Sequence, residues 1–278
     1  LAAAAEALNM KNLPQSTAAA ELAPKLRPDV FCFCTMPNLR QELVQLAVDS
    51  GAKLVAFEKP IALSMREANR LKGLIERGGI KAVVSHQHRY GPHYQKVADF
   101  ALSGALGRIE TIYASATGWM THMMSHMVDY LRWYNGNAPA QWVMGQASGK
   151  GKLTDNHPSP DYIAGVIQFA NGVRGIVECG AGAPDQPDVA KWWGKNRICV
   201  QGTAGFAEVL TNGGWRAVTK DGVAAGEGAM NYDRDMPPYV RDMAVWLGGG
   251  KPHPCAFEQA YPGCEIVMGL LRSAALGG

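Results

Sequence analysis

Residues 53–86, KLVAFEKPIALSMREANRLKGLIERGGIKAVVSH, contain the pattern that decides the fold. Two apolar runs of strand length, Lys53–Phe57 and Lys81–His86, flank a segment with the signature of a helix. Ser64 followed three residues later by Glu67 is a capping box, which predicts that this helix begins there. Apolar strands separated by a helix indicate a parallel sheet that is covered on both faces.

The same alternation continues towards the N-terminus. Residues 1–9 and 17–26 are rich in Ala and Leu and are predicted to be helical, and residues 29–34 are another apolar run of strand length. Asn38, with Gln41 three residues later, is predicted to cap the next helix. The first ninety residues therefore predict an α/β unit with a parallel sheet.

The pattern changes after about residue 105. The dipeptide Asn171-Gly172 lies between two apolar runs and predicts a two-residue hairpin. Such strands, with helices returning near the C-terminus, predict an antiparallel sheet with helices on one face, which forms a separate α+β domain. We expect a boundary near residue 90, with domains 1–90 and 91–278. The remaining segments are strands at 108–117, 161–170, 173–179, 197–201 and 206–210 and helices at 122–134, 237–247 and 256–276.

Composition narrows the class of protein. The net charge is +3 without a long basic block, which argues against a nucleic-acid partner. No apolar run reaches the length of a membrane span, and the opening Leu-Ala-Ala-Ala-Ala-Glu lacks the basic flank of a signal peptide. The six cysteines include no C-x-x-C pair and mostly lie in apolar runs. They predict buried, reduced thiols in a cytoplasmic protein.

Glu58-Lys59-Pro60 comes directly after the second predicted strand. Ligands of open parallel sheets bind beyond the carboxyl ends of the strands, so a reactive lysine would lie at this point. Pro60 can also hold a tight turn in cis. Taken alone, however, the tripeptide fits an exposed lysine in an ordinary turn better.

His122, His126 and Asp129 recur at i, i+4 and i+7, so one face of a helix can carry all three. A histidine can take a hydroxyl proton at neutral pH, which makes it a candidate general base. The plain alternative is two histidines at a helix start that bond to backbone or water. A zinc site is disfavoured, because Met123 replaces the glutamate of the H-E-x-x-H pattern and no third ligand is evident.

Five short motifs occur in the order and spacing of one known family. The chain resembles the glucose–fructose oxidoreductase/inositol dehydrogenase family over nearly its whole length. The motifs are Asp29-Val-Phe-Cys-Phe-Cys-Thr-Met-Pro-Asn38, Phe57-Glu-Lys-Pro-Ile-Ala-Leu63, Ser85-His-Gln-His-Arg-Tyr-Gly-Pro92, Ser103-Gly-Ala-Leu-Gly-Arg-Ile109 and Ser125-His-Met-Val-Asp-Tyr-Leu-Arg-Trp133; Phe169-Ala-Asn-Gly172 and Val200-Gln-Gly-Thr-Ala-Gly205 are similar in the C-terminal half.

The resemblance implies a Rossmann-type domain, an open-faced sheet domain and an active site between them. It implies hydride transfer between NAD or NADP and a secondary alcohol of a sugar or polyol. Lys59 would bond to the reacting hydroxyl and stabilise its developing charge, and His126 would be the general base. Trp119, Trp192 and Trp193 are candidate faces for a sugar ring, or else core or subunit contacts. The residues expected near the nicotinamide and its ribose are Thr35, Pro37, Asn38, Glu58, Lys59 and Gln87.

One departure from the family pattern concerns the dinucleotide fingerprint. No G-x-G-x-x-G occurs in the sequence. In a Rossmann sheet the strand that precedes this fingerprint pairs with the strand at 29–34, which would otherwise be an exposed apolar edge. We therefore expect that the sequence omits an N-terminal segment, or that a partner covers this edge. An intact mass equal to 29.8 kDa would contradict the first expectation.

A second departure lies beside the candidate base. His122 stands where the family usually has Asp, and Met124 stands where it usually has Gly. An imidazole cannot supply the charge of a carboxylate, so other sugar chemistry stays open. Besides a sugar or polyol oxidoreductase, the alternatives are a relative that cleaves glycosides with a bound NAD and a non-catalytic binding or assembly subunit. A sheet with helices on one face also predicts a homo-oligomer formed through the open face.

Overall fold

The computed structural model describes residues 2–7, 9–118, 120–149 and 159–278. Within these ranges the chain forms a three-stranded sheet and an eight-stranded sheet with helices packed against them. The smaller sheet and its helices consist of α1 (Ala2–Ala7), α2 (Ala19–Leu26), β1 (Val30–Phe33), α3 (Arg40–Asp49), β2 (Leu54–Phe57), α4 (Met65–Gly78) and β3 (Lys81–Val84).

The smaller sheet is parallel, as predicted. Its strand order is β1–β2–β3, and Val30 pairs with Leu54, which pairs with Lys81. All four residues of β2 are buried, because helices cover both faces of this central strand. The capping box is confirmed, since the Ser64 hydroxyl accepts a hydrogen bond of 3.2 Å from the Glu67 amide. The three parallel strands therefore end at one edge, with Glu58 directly after β2.

Two local predictions in this region are wrong. Asn38 does not cap α3, because a 3-10 turn at Pro37–Leu39 runs directly into the helix and no side chain caps it. The thiols of Cys32 and Cys34 are exposed rather than buried. Cys32 lies in β1 and Cys34 directly follows it, and β1 is an edge strand of the sheet. The other four cysteines are free and buried, as predicted.

The larger sheet has the strand order β11–β10–β9–β8–β4–β7–β6–β5, and among its described strands only β4 and β7 pair in parallel. The prediction of an open, mostly antiparallel sheet is confirmed. Its strands and the remaining helices are α5 (Pro92–Leu102), β4 (Ile109–Ala116), α6 (Met120–Tyr134), β5 (Ala140–Ser148), β6 (Tyr162–Phe169), β7 (Arg174–Gly180), β8 (Asn196–Gly202), β9 (Gly205–Leu210), β10 (Gly214–Thr219), β11 (Gly222–Gly226), α7 (Tyr232–Leu247) and α8 (Phe257–Ala275).

Helix α8 packs against both sheets. Phe257 and Tyr261 belong to the apolar core of the smaller sheet. Further along the helix, Leu270 lies so close to β5 that a Cβ on Gly145 would fall 2.6 Å from its carbonyl oxygen. The two sheets are thereby held in contact, although the division at residue 90 stays a prediction. No described helix is both long and apolar enough to cross a membrane.

Candidate active site

A cavity of about 650 Å³ lies at the carboxyl ends of β2 and β3, where α6 and α7 approach the smaller sheet. It is mostly lined by polar and aromatic side chains. Seven of the residues singled out in the sequence meet there, namely Glu58, Lys59, Gln87, His122, His126, Trp192 and Trp193. The other lining residues are Ser85, His88, Met123, Met230, Tyr232 and Met236.

Lys59 is presented to this cavity by the turn that follows β2. The Lys59–Pro60 peptide bond is cis. The buried guanidinium of Arg40 donates a hydrogen bond of 2.9 Å from Nε to the Pro60 carbonyl. The carbon of this guanidinium also lies 5.4 Å from the centroid of the Phe57 ring. The turn is therefore fixed by a side chain from α3, and Lys59 has a defined position at the sheet edge.

His126 is presented from the opposite side by α6, and its side chain is buried. Its Nδ1 atom is 2.9 Å from the Tyr130 hydroxyl and 3.3 Å from Nδ1 of His86. Since Nδ1 is engaged on the protein side and the ring lines the cavity, Nε2 is the nitrogen available to a substrate. His122 lies one turn earlier on the same helix and lines the same cavity.

Asp129, the third residue of the predicted helix face, has a different place. Its carboxylate accepts hydrogen bonds of 2.8 and 2.9 Å from the guanidinium of Arg89, and both side chains are buried. Arg89 belongs to the segment after β3, so the pair joins that segment to α6. Among the described residues, Asp129 does not line the large cavity. It instead holds together the two elements that carry the site.

Burial dominates the electrostatics of the imidazoles. It lowers the pKa of His126 well below the usual value, and the positive charge of Lys59 lowers it further. Burial also lowers the pKa of His86 to about 4, although Asp129 opposes this effect. For His88 it lowers the pKa to about 3. All three rings are therefore neutral at pH 7, and a proton on His126 would be strongly disfavoured unless its charge could be passed on.

The residues expected to approach the cofactor divide into two groups. Glu58, Lys59 and Gln87 line the cavity, and the Ser85 hydroxyl donates to the Gln87 side-chain oxygen at 3.3 Å. Thr35, Pro37 and Asn38 do not belong to the lining described for this part of the chain. They follow β1, however, at the same edge of the parallel sheet at which Glu58 follows β2. The cofactor contacts of all six residues stay predictions.

Several residues of the site were not singled out from the sequence. His86 and His88 belong to the motif that follows β3. The run His86-Gln87-His88, three polar side chains in succession after an apolar strand, could have identified them as candidates. Tyr232 and Met236 come from α7, and no local pattern links them to the other residues. Trp192 and Trp193 line the cavity, as expected for candidate faces of a sugar ring. Trp119 lies outside the described residues.

Both parts of the chain match models of known protein families. Residues 1–86 match the oxidoreductase family with an NAD-binding Rossmann fold, and residues 70–208 match the GFO/IDH/MocA C-terminal domain. Oxidoreductase P35 of Formosa agariphila is 21% identical over 252 residues, which cover 82% of this chain and 74% of the relative. The D-apiose dehydrogenase of Paraburkholderia graminis is 30% identical over 107 residues, which cover 38% of this chain and 28% of that enzyme.

Solved structures share the whole fold. An oxidoreductase from Agrobacterium radiobacter, crystallised with NAD+, L-tartaric acid and magnesium, superposes with a TM-score of 0.80 at 15% identity. The match covers 97% of this chain and 85% of that protein. At this identity the likeness shows the arrangement of both sheets, and the chemistry must be argued from the cavity itself.

Proposed function

Because the chain belongs to the GFO/IDH/MocA family of NAD-binding oxidoreductases, we propose that it transfers a hydride between NAD or NADP and a secondary alcohol of a sugar or polyol. One observation carries the proposal. Lys59 follows β2 of the smaller sheet and His126 lies on α6, and the two side chains line one cavity. A carbinol carbon between them would have a charge-stabilising group and a proton acceptor within reach.

The residues at the sheet edge fit a nicotinamide cofactor. The cavity lies beyond the carboxyl ends of parallel strands, where dinucleotides bind in folds of this kind. Glu58 and Gln87 offer side-chain oxygens and an amide for ribose hydroxyls and the carboxamide, and Thr35, Pro37 and Asn38 lie along the same edge. When bound, the oxidised nicotinamide would accept the hydride from the substrate carbon.

The side chains of this chain then have distinct tasks. The Lys59 ammonium donates a hydrogen bond to the reacting oxygen and stabilises the negative charge that develops on it. His126 takes the hydroxyl proton at Nε2, for which its neutral ring is suited. His122, one turn away, would bond to a neighbouring hydroxyl of the substrate. In the reverse direction His126 returns the proton to the carbonyl oxygen.

The cavity favours a polyhydroxylated substrate. Its lining combines the polar groups of His122, Gln87 and Tyr232 with the faces of Trp192 and Trp193. Sugars are bound by this combination, because aromatic rings pack against their C–H faces while polar groups pair with hydroxyls. The similarity to a D-apiose dehydrogenase supports the same substrate class.

The test is a panel of sugars and polyols assayed with NAD and with NADP, in which accumulation of reduced nicotinamide is followed by absorbance. We expect reduction with at least one substrate and its loss in Lys59→Met and in His126→Asn. Binding of NADH is measured in parallel by fluorescence. Absence of NADH binding up to millimolar concentration would favour the non-catalytic alternative. Cleavage of an aryl glycoside without accumulation of reduced cofactor would favour the glycoside-cleaving alternative.

We also propose that the chain forms a homo-oligomer through the open face of the larger sheet. Met144, Val166 and Ile176 lie in register across β5, β6 and β7 on that face. Trp142, two residues before Met144, is 51% exposed. A large apolar area of this kind is usually covered by a partner. Light scattering should give more than one protomer per particle, and Ile176→Asp should reduce that number.

A further inference from the structure

His86 lies between the candidate active site and a second cavity. Its Nδ1 atom is 3.3 Å from Nδ1 of His126, and the two rings meet edge to face with their centroids 5.3 Å apart. The second cavity has a volume of about 120 Å³, and His86 is one of its lining residues. A cavity of this size holds water only next to polar groups, and here the His86 ring and Ser125 are the polar members of the lining. The His86 ring therefore contacts the candidate base on one side and a space that can hold water on the other.

This second cavity extends towards the surface of the protein. It lies between helix α8 and the loop that continues from Lys59, and most of its lining is apolar. Its lining residues Leu63, Met268 and Leu271 are only partly buried, so the cavity approaches solvent at that side. An imidazole at the inner end of such a cavity is placed to exchange a proton with water.

The groups around His86 distinguish it from the other imidazoles. Oδ2 of Asp129 is 4.0 Å from its Nδ1 atom, and Arg89 fixes this carboxylate. Arg89, Arg132 and Lys59 oppose a positive charge on His86, whereas Asp129 favours it. The groups that act on His126 are all basic and all oppose a charge there: Lys59, His86, His88 and His122.

Tyr130 also contacts Nδ1 of His126, but it cannot carry a proton onwards. A neutral phenol can share a hydrogen bond with the ring, and burial holds the pKa of this hydroxyl well above its usual value. Tyr130 is also fully buried and does not belong to the described lining of either cavity. Tyr130 therefore orients the His126 ring, and the imidazole of His86 is the group that can accept a proton from Nδ1.

We propose that His86 is a positioning residue that relays the proton taken up by His126 into the second cavity; this relay rests on the function proposed above. In the oxidation direction the substrate O–H bond breaks and its proton bonds to Nε2 of His126. The proton on Nδ1 of His126 bonds to Nδ1 of His86, and the proton on Nε2 of His86 passes to water. The electron pair of the C–H bond leaves with the hydride to the oxidised nicotinamide.

The relay keeps both rings uncharged. One proton enters at His126 and one leaves at His86, so each imidazole is neutral before and after the step and only the tautomers exchange. After product release the shared proton returns to His126, whose Nε2 proton passes to water in the emptied site, and His86 regains a proton from the second cavity. The buried cluster thus handles the substrate proton without holding a cation beside Lys59.

Two variants of His86 test the relay by kinetics. In His86→Gln, whose amide cannot take up a proton, kcat should fall about 10–100-fold while KM changes by less than about threefold. In His86→Ala, free imidazole should reach the vacated position through the second cavity and raise kcat at least about tenfold. The matched control is His93→Gln, which alters a buried imidazole that is bonded to the Thr211 carbonyl and lines neither of the two cavities. Its kcat should stay within about twofold of the wild type.

The relay is overturned if His86→Gln keeps its kcat, or if imidazole leaves His86→Ala unchanged while NADH binding and the unfolding midpoint match the wild type. An independent readout is NMR of histidine labelled with the heavy nitrogen isotope. A proton shared between the two Nδ1 atoms of the wild-type protein supports the relay, and unrelated tautomers contradict it. This readout decides the relay if the variants do not fold, and also if no substrate is oxidised and the proposed function fails.

Discussion

Replacing Asp129 with Ala should destabilise the protein by about 3–5 kcal/mol, because it leaves the Arg89 guanidinium buried without its partner. The side chains of Asp129 and Arg89 are 3% and 5% exposed, and they share two charge-assisted hydrogen bonds. In thermal unfolding, a loss of this size lowers the midpoint of a chain of this length by about 6–20 °C. The double variant Arg89→Met/Asp129→Leu should recover most of the loss, since an apolar pair fills the same space.

The assay is thermal and urea unfolding followed by circular dichroism, with all variants at pH 7. Asp185→Ala is the matched control, because it removes an exposed carboxylate from its ion pair with Lys195 and should not move the midpoint measurably. The reasoning would be refuted if Asp129→Ala unfolded at the wild-type midpoint, or if the double variant were less stable than the single one. Either result would mean that the pair does not hold the segment after β3 against α6.

Three further predictions concern other groups of the site. Burial lowers the pKa of His86 to about 4 and of His88 to about 3, so the unfolded chain binds their protons first as the pH falls below about 6.5. Each histidine should therefore lower the free energy of unfolding by about 1.4 kcal/mol per pH unit until its folded pKa is reached. Urea titrations at several pH values should show that the free energy of unfolding of His88→Phe depends less steeply on pH than that of the wild type. Arg40→Met should change the free energy of unfolding by no more than about 1 kcal/mol. The variant loses the hydrogen bond to the Pro60 carbonyl, but it also removes two buried guanidinium nitrogens that have no hydrogen-bond partner among the described residues. A loss above about 3 kcal/mol would contradict this. Trp192→Ala should raise KM for a sugar about 5–50-fold with a smaller effect on NADH binding, if its ring packs against the substrate; equal effects on both constants would contradict that placement.

The local elements of the fold could be predicted from the sequence because their signals are local. The Ser64–Glu67 capping box depends on a few neighbouring residues and forms as expected. Asn171-Gly172 also joins two antiparallel strands as predicted, but the loop is longer than the predicted two residues, because Gln168 pairs with Arg174 and the Phe169 amide donates to the Val173 carbonyl. Asn38 shows the limit of such signals. Its cap requires an extended residue before the helix, and the 3-10 turn that precedes α3 removes that geometry. The exposure of Cys32 depends on which strand lies at the edge of the sheet, and the residue pattern of β1 does not contain that information.

The candidate site could be predicted only in part for the same reason. Lys59 and His126 were accessible through motifs, since each stands in a short pattern with chemical meaning. The contacts of His126 with His86 and of Asp129 with Arg89 each join residues 40 positions apart. Such pairs arise from the packing of α6 against the end of β3, which no periodicity encodes. The position of α7 and its Tyr232 beside the cavity depends on the tertiary structure in the same way.

The central claim is that Lys59 and His126 act together on one substrate carbon, and a double-mutant cycle on kcat/KM tests it most directly. Lys59→Met, His126→Asn and the double variant are compared with the wild type on the best substrate of the panel, with NADH binding as the control for folding. We expect the double variant to lose little more activity than either single variant, because groups that act as a unit are not additive. Losses that multiply would show that the two side chains act independently and would contradict the account.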